Sequence, residues 1–381
     1  MKQANHKLKL ISYFSTEDAK NIAKILLAFA IASIILYGYF LFFSPYRLQL
    51  VYQNWDGPSY VVIAKSFYNK DIIPQVNTLR IPVKYFAAHP PFYPILIKLF
   101  SFIGYFQAMI VVSLMSTALF LCSFYYFLKD HVSAGNAFLL SLLSIFISPR
   151  WFVVSHVGSS EPLFLFLLCV LLMLIKKNKT VPILIVAMLL QLTRMQGILI
   201  FGGIFLYYLY QRVLKKISSR ELIKRILPLM IMPVSLLILF LIYHIQLGDF
   251  LAFFRAQELA NSTSHLQLPP YKVLLENHYL PSAIESWKEI YLVYYFLISY
   301  TLIKLFKEKQ FLLGFVGLVY AIPLYFLVHV DLARYSIPLL PLFFVAFKNT
   351  LSSKYFLLAT LITIPAIYLF AINNINLNLT P

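Results

Sequence analysis

Asp56 is the residue of this sequence best suited to acid–base chemistry. It lies in the segment 53–60 (QNWDGPSY), where Pro58 marks the first turn of a helix. A carboxylate at this position can cap the helix by accepting backbone N–H bonds. It can also act as a general base that removes the proton of an attacking hydroxyl group, for example during sugar transfer. The two roles are compatible, because a cap holds the carboxylate rigidly.

Other ionisable residues lie where apolar segments begin or end. Charges in or near a bilayer are costly, so they pair with one another or mark a substrate path. Pairing is the simpler interpretation, for instance Asp331 with Arg334. The functional one is that Arg194, His329 and Arg334 neutralise a phosphate, which arginine binds well through paired N–H bonds. The residues at these ends are Arg150, His156, Glu161, Arg194, His329, Asp331 and Arg334.

His89 lies in a proline-rich corner, 85–94 (YFAAHPPFYP), at the end of the loop that contains Asp56. It is either a surface histidine or a ligand of a phosphate or sugar. The sequence has neither a G-x-x-x-x-G-K-[ST] nor a G-x-G-x-x-G motif, which disfavours a soluble nucleotide-sugar donor. Asp71 and Glu161 could join Asp56 around a metal, but their spacing is not diagnostic. We therefore expect no metal and no other cofactor.

The composition indicates an integral membrane protein that crosses the bilayer many times. The 381 residues are 61% hydrophobic and 12% charged, with a mean hydropathy of +0.79. Soluble domains are about half apolar and about a quarter charged, so a soluble globule is excluded. The net charge of +18 would suggest nucleic acid in a soluble protein. Here it follows from the enrichment of Lys and Arg on the cytoplasmic side, and no nucleic-acid partner is expected.

The apolar segments predict an all-α fold of about eleven membrane helices in a single domain over residues 1–381. Two segments, 181–193 and 197–211, are short for a bilayer that needs about 20 residues, and they predict a hairpin with a polar tip. Long loops are expected at 44–92 and 248–289. Within the first, residues 60, 63, 64 and 67 share an apolar helix face, which predicts a helix along the membrane interface. The other predicted helices are 24–43, 105–128, 132–149, 161–175, 226–247, 290–303, 311–328, 336–347 and 355–372.

The distribution of charge predicts the orientation. With a cytoplasmic N-terminus, the short inner loops hold most of the 32 Lys and Arg residues, as the positive-inside rule requires. Both long loops then face the extracytoplasmic side, and so does the candidate site. The membrane would be the plasma membrane of a prokaryote or the endoplasmic reticulum of a eukaryote.

Five short segments, in order along the chain, resemble motifs of the GPI mannosyltransferase II (PIG-V) family of GT-C glycosyltransferases. They differ from the family pattern at Gly57, at Pro91-Phe92 and at Pro162. The segments are 55–64 (WDGPSYVVIA), 89–97 (HPPFYPILI), 159–164 (SSEPLF), 192–199 (LTRMQGIL) and 328–335 (VHVDLARY).

The resemblance implies an inverting transfer of a sugar from a polyprenyl-phosphate donor, on the extracytoplasmic face, to a lipid or glycan acceptor. The sugar is expected to be a hexose such as mannose. The resemblance also implies that Asp56 is the catalytic base. The expected substrate-binding residues are Trp55, Tyr60, His89, Glu161, Arg194, His329 and Arg334.

Two other classes of function remain open. A lipid or glycolipid flippase would need no chemistry, but such transporters have paired repeats of broken helices, and only one short hairpin is evident. A different GT-C enzyme, of the aminoarabinose or protein mannosyltransferase type, would share most of the features described above.

Overall fold

The protein is a bundle of helices. A computed structural model describes residues 15–79, 81–259, 265–275, 284–329 and 331–377, and 79% of these residues are helical. The strands in these ranges are β1 (His265–Leu266) and β2 (Leu327–Val328), which pair antiparallel. The described helices are α1 (Thr16–Phe42), α2 (Gln49–Tyr52), α3 (Gly57–Ser66), α4 (Ile73–Val76), α5 (Phe92–Leu99), α6 (Tyr105–Lys129), α7 (Ala134–Ser144), α8 (Pro149–Val154), α9 (Glu161–Lys177), α10 (Thr180–Thr193), α11 (Gly197–Val213), α12 (Ser219–Ile226), α13 (Ile231–Leu247), α14 (Ala252–Leu259), α15 (Ile284–Lys307), α16 (Phe311–Phe326), α17 (Leu332–Tyr335), α18 (Leu340–Ala346), α19 (Lys348–Leu351) and α20 (Lys354–Leu377).

Long apolar helices make this an all-α membrane protein. Five helical stretches of the described chain are long and apolar enough to cross a membrane: Thr16–Phe42, Tyr105–Lys129, Ser219–Leu247, Lys288–Lys307 and Lys354–Leu377. Shorter apolar helices, among them α10 and α11, pack with them. The predicted hairpin of short helices is therefore present as α10 and α11, with its tip at residues 194–196.

Ion pairs identify one end of the bundle. Asp18 at the start of α1 pairs with Lys129 at the end of α6 at 2.7 Å, so these two helices are antiparallel. Asp130 pairs with Lys176 near the end of α9 at 3.3 Å, so α6 and α9 end together. The first residues of α6 and α9 consequently lie at the opposite end of the bundle, which the loop over 44–92 covers.

This loop is folded into short helices. Of these, α3 is buried on nearly all sides, with Lys65 as its exposed residue, and it packs on α5 and α6. Tyr60, Ile63 and Ala64, three of the four residues predicted to form an apolar helix face, are buried. Phe67, however, lies beyond the helix end with a left-handed backbone and is 42% exposed. The helix is thus enclosed by protein instead of lying flat on the membrane with one face covered. Of the second long loop, 248–289, only parts are among the described residues.

Helices α11 and α16 pack unusually closely, because Gly203 has no side chain. A Cβ atom at this position would lie 2.5 Å from the Cα atom of Val316 and 2.8 Å from the carbonyl oxygen of Phe315. Both are backbone atoms, so no side-chain rotation can relieve the contact.

We expect Gly203→Ala to destabilise the protein by about 1–3 kcal/mol, because the backbone of α16 must move away. The thermal unfolding midpoint in detergent measures this. Gly38→Ala is the matched control, since Gly38 also lies within a long helix but nothing is within 4 Å of its added Cβ. That change should leave the midpoint unchanged or raise it through helix propensity. Equal midpoints for the two variants would contradict the close packing.

Candidate active site

The turn before α3 directs the Asp56 side chain away from its own helix. Trp55 has a left-handed backbone, with φ of +47°, and Pro58 stabilises the first turn of α3. Asp56 is the N-cap residue by backbone position, but its side chain makes no capping hydrogen bond. The interpretation of Asp56 as a carboxylate that caps α3 is therefore wrong. Its side chain instead contacts two residues from distant parts of the chain.

The first of these residues is Arg334, which lies in α17 and joins two carboxylates. Its Nη2 is 2.8 Å from Oδ2 of Asp56, and its Nε donates to Oε1 of Glu161 at 2.5 Å. The guanidinium also packs over the indole ring of Trp55, 5.6 Å from its centroid. Arg334 is therefore fixed on two edges and one face.

Glu161, the first residue of α9, is fully buried and binds a second arginine. Nη1 of Arg194, at the tip of the α10–α11 hairpin, is 2.8 Å from Oε1 of Glu161. The Ser159 hydroxyl donates to the other carboxylate oxygen. Arg194 also donates to Oγ of Ser160 at 3.2 Å. A buried carboxylate between two arginines is well compensated in charge and hydrogen bonding.

His89 is the second contact of Asp56. It is only 6% exposed, so the alternative of a surface histidine is wrong. Its Nε2 lies 3.6 Å from Oδ1 of Asp56, and the Tyr60 ring packs edge-on against the imidazole at 4.9 Å. The Tyr60 hydroxyl lies 2.9 Å from Oγ of Ser160. Tyr60 therefore links the His89 side of the site to the start of α9.

A second ion pair adjoins the first cluster. Asp331 pairs with Arg150 at 2.8 Å, and Arg150 also donates to Oδ1 of Asn374 at 2.9 Å. The predicted side-chain pair of Asp331 with Arg334 is therefore wrong, although Asp331 accepts the backbone N–H of Arg334. The Arg150 guanidinium lies 5.4 Å from the Trp55 ring centroid. Trp55 thus contacts the arginines of both clusters.

His329 is fixed in one tautomer by the backbone. The N–H of Asp331 donates to its Nδ1 at 2.9 Å, so the neutral ring carries its proton on Nε2. Burial, together with the charge of Arg334, lowers the pKa of His329 to about 3. The uncharged ring, with a hydrogen-bond donor at Nε2, is therefore the favoured form of this residue.

The electrostatics keep Asp56 ionised. Burial alone would raise the pKa of Asp56, but Arg334 and His89 outweigh it and hold the pKa well below its usual range. Burial raises the pKa of Asp331, against the opposing charges of Arg150 and Arg334. The ion pairs join three carboxylates to three guanidiniums, so each arginine is matched by a carboxylate without a ligand.

An apolar cavity of about 140 Å³ is lined by chain neighbours of two of the arginines. Its wall includes Trp151, next to Arg150, and Ala333 and Ser336 on either side of Arg334. A smaller cavity is lined by Trp55, Arg150 and Arg334 themselves.

The structure brings Trp55, Asp56, Tyr60, His89, Glu161, Arg194 and Arg334 into one network and places His329 beside it. His156 is elsewhere: it is fully buried and its Nε2 lies 3.0 Å from Oγ of Ser33 in α1. Sequence reasoning did not assign Ser159, Ser160 or Asn374. The serines lie in a segment that the family resemblance covers, whereas nothing in the sequence around Asn374 distinguishes it.

No protein-family model matches the chain, and no curated protein matches it. The fold and the network of ion pairs define the class of protein: an all-α membrane protein with a buried ionic site.

We expect Glu161→Gln to destabilise the protein by about 3–5 kcal/mol, because two buried guanidiniums lose their shared carboxylate. Asp130→Asn is the control, since it breaks the partly exposed pair with Lys176 and should cost about 0–1 kcal/mol. Thermal unfolding in detergent compares the two. Similar losses for both variants would show that Glu161 does not support the cluster.

Proposed function

We propose that the protein is a GT-C type glycosyltransferase. It transfers a sugar, a hexose such as mannose, from a polyprenyl-phosphate donor to an acceptor hydroxyl with inversion at the anomeric carbon. Asp56 is the general base. The observation that carries the proposal is the position of this carboxylate, which contacts Arg334 and His89. Arg334 in turn lines a small cavity together with Trp55 and Arg150.

The proposed reaction uses each part of the site. Asp56 accepts the proton of the acceptor hydroxyl, whose oxygen attacks the anomeric carbon. The bond between that carbon and the phosphate oxygen breaks, and the lipid phosphate leaves as an anion. Arg334 and the N–H of His329 stabilise the charge on this leaving group. Because the leaving group is a stable anion, no strong general acid is required.

Arg194 and Glu161 support the reaction by holding the Arg334 guanidinium in place. Glu161 binds both Arg194 and Arg334 through the same oxygen, so it sets where the Arg334 guanidinium lies. Trp55 packs against that guanidinium, and Tyr60 packs against His89. These contacts support a site in which the groups that meet the donor are held rigid before it binds.

The proposed topology has eleven crossings and a cytoplasmic N-terminus. The basic end of the bundle, with Lys129 and Lys176, then faces the cytoplasm, as the positive-inside rule expects. Asp56 and the loop around it face the opposite side, where a lipid-linked sugar and an acceptor can meet. The crossings are α1, α6, α7 with α8, α9, α10, α11, α13, α15, α16, α18 and α20.

A panel of labelled polyprenyl-phosphate sugars, supplied to membranes that contain the protein, tests this function. We expect a labelled product from at least one donor and its loss in Asp56→Asn, by about 100-fold or more if the base acts as proposed. Asp71→Asn, an exposed aspartate of the same loop, is the control and should retain full activity.

Full transfer by Asp56→Asn would remove Asp56 as the base. Movement of the lipid across the membrane without any product would favour the flippase alternative. Transfer restricted to aminoarabinose, or to a protein acceptor, would favour the other GT-C types.

A further inference from the structure

Asp56 is a weaker base while its Oδ2 is paired. Oδ2 lies 2.8 Å from Nη2 of Arg334, and this pairing stabilises the carboxylate against protonation. The same guanidinium is the group that a donor phosphate would approach in the proposed function. The base and the donor therefore compete for one cation.

The charge balance of the site favours this competition. The carboxylates of Asp56, Glu161 and Asp331 already match the three arginines that contact them. An anionic headgroup adds a negative charge to a largely buried cluster whose arginines are already paired, which is costly unless a carboxylate gives up its partner.

Asp56 is the carboxylate that can be released most readily. Its side chain is 24% exposed, whereas that of Glu161 is 0% exposed. Glu161 binds two arginines, and Asp331 binds Arg150 through both oxygens. Asp56 has a single arginine, and its other oxygen already faces His89, so water and this imidazole can take over its solvation.

We propose that Arg334 is a latch: it holds Asp56 until an anionic phosphodiester headgroup takes over its guanidinium and frees the carboxylate to accept the proton of the acceptor hydroxyl. The proposal rests on the proposed function and specifies the order of its steps: the donor binds before the acceptor hydroxyl is activated. A water molecule in the site without donor therefore meets a base that is still occupied.

The latch predicts that Asp56 weakens donor binding. Farnesyl methyl phosphate, a singly charged phosphodiester with no sugar to transfer, is a suitable probe for calorimetric titration of the full chain in detergent. We expect Asp56→Asn to bind it about tenfold more tightly than the wild type, because the competing carboxylate is gone. In an Arg334→Gln background the same change should produce no gain, since the contested cation is absent.

Asp249→Asn is the matched control. It removes one negative charge from a carboxylate that pairs with Lys84 and Arg255, and it should leave the affinity unchanged. If Arg334→Gln does not fold, as judged by size exclusion and thermal unfolding, Arg334→Lys replaces it. Lysine has a single ammonium group in place of the two N–H edges of a guanidinium. The gain in probe affinity from Asp56→Asn should therefore be smaller in that background.

Equal or weaker binding by Asp56→Asn overturns the latch, and so does the absence of binding to both proteins. A full tenfold gain in either Arg334 variant also overturns it, because the competition would not pass through Arg334. Failure of the proposed function gives a different result. If the effect of Asp56→Asn on probe affinity depends on Arg334 but no donor yields a product, the proposed reaction is refuted and the latch is retained.

Discussion

The structure depends on one constraint: the charge and the hydrogen bonds of a guanidinium buried in an apolar helical bundle must be fully compensated. Arg334 is compensated by Asp56 on one edge and Glu161 on another, with Trp55 against its face. These partners come from the first long loop and from the start of α9. Satisfying one cation thus joins segments more than 100 positions apart in the chain.

The sequence predicted the all-α class and several of the helices, because membrane helices are dictated by local composition. The segments 105–128 and 311–328 match α6 and α16 closely. The region 132–149 was predicted as one helix, yet α7 ends at Ser144 and α8 begins at Pro149, since the proline cannot continue the helical hydrogen bonds. The enclosure of α3 was not predicted, because burial by distant helices leaves no periodic signal in ten residues.

The cost of charge in an apolar chain identifies Glu161, Arg194 and Arg334 as residues with a reason to be there. Asp56 was chosen instead from its position at a helix start and from the family resemblance. The cost of charge does not identify the partners of these residues, since pairing depends on how helix ends meet in three dimensions. Asp331 consequently pairs with Arg150, which is 181 positions away. The nearby guanidinium of Arg334 pairs instead with Asp56 and Glu161.

A cryo-electron microscopy structure with a bound, non-transferable lipid phosphodiester tests the central claim most directly. The account predicts phosphate density within hydrogen-bond distance of the Arg334 guanidinium, the lipid chain in the cavity beside Ala333 and Ser336, and a separated Asp56 carboxylate. Phosphate bound elsewhere, with the pair between Asp56 and Arg334 intact, would contradict it.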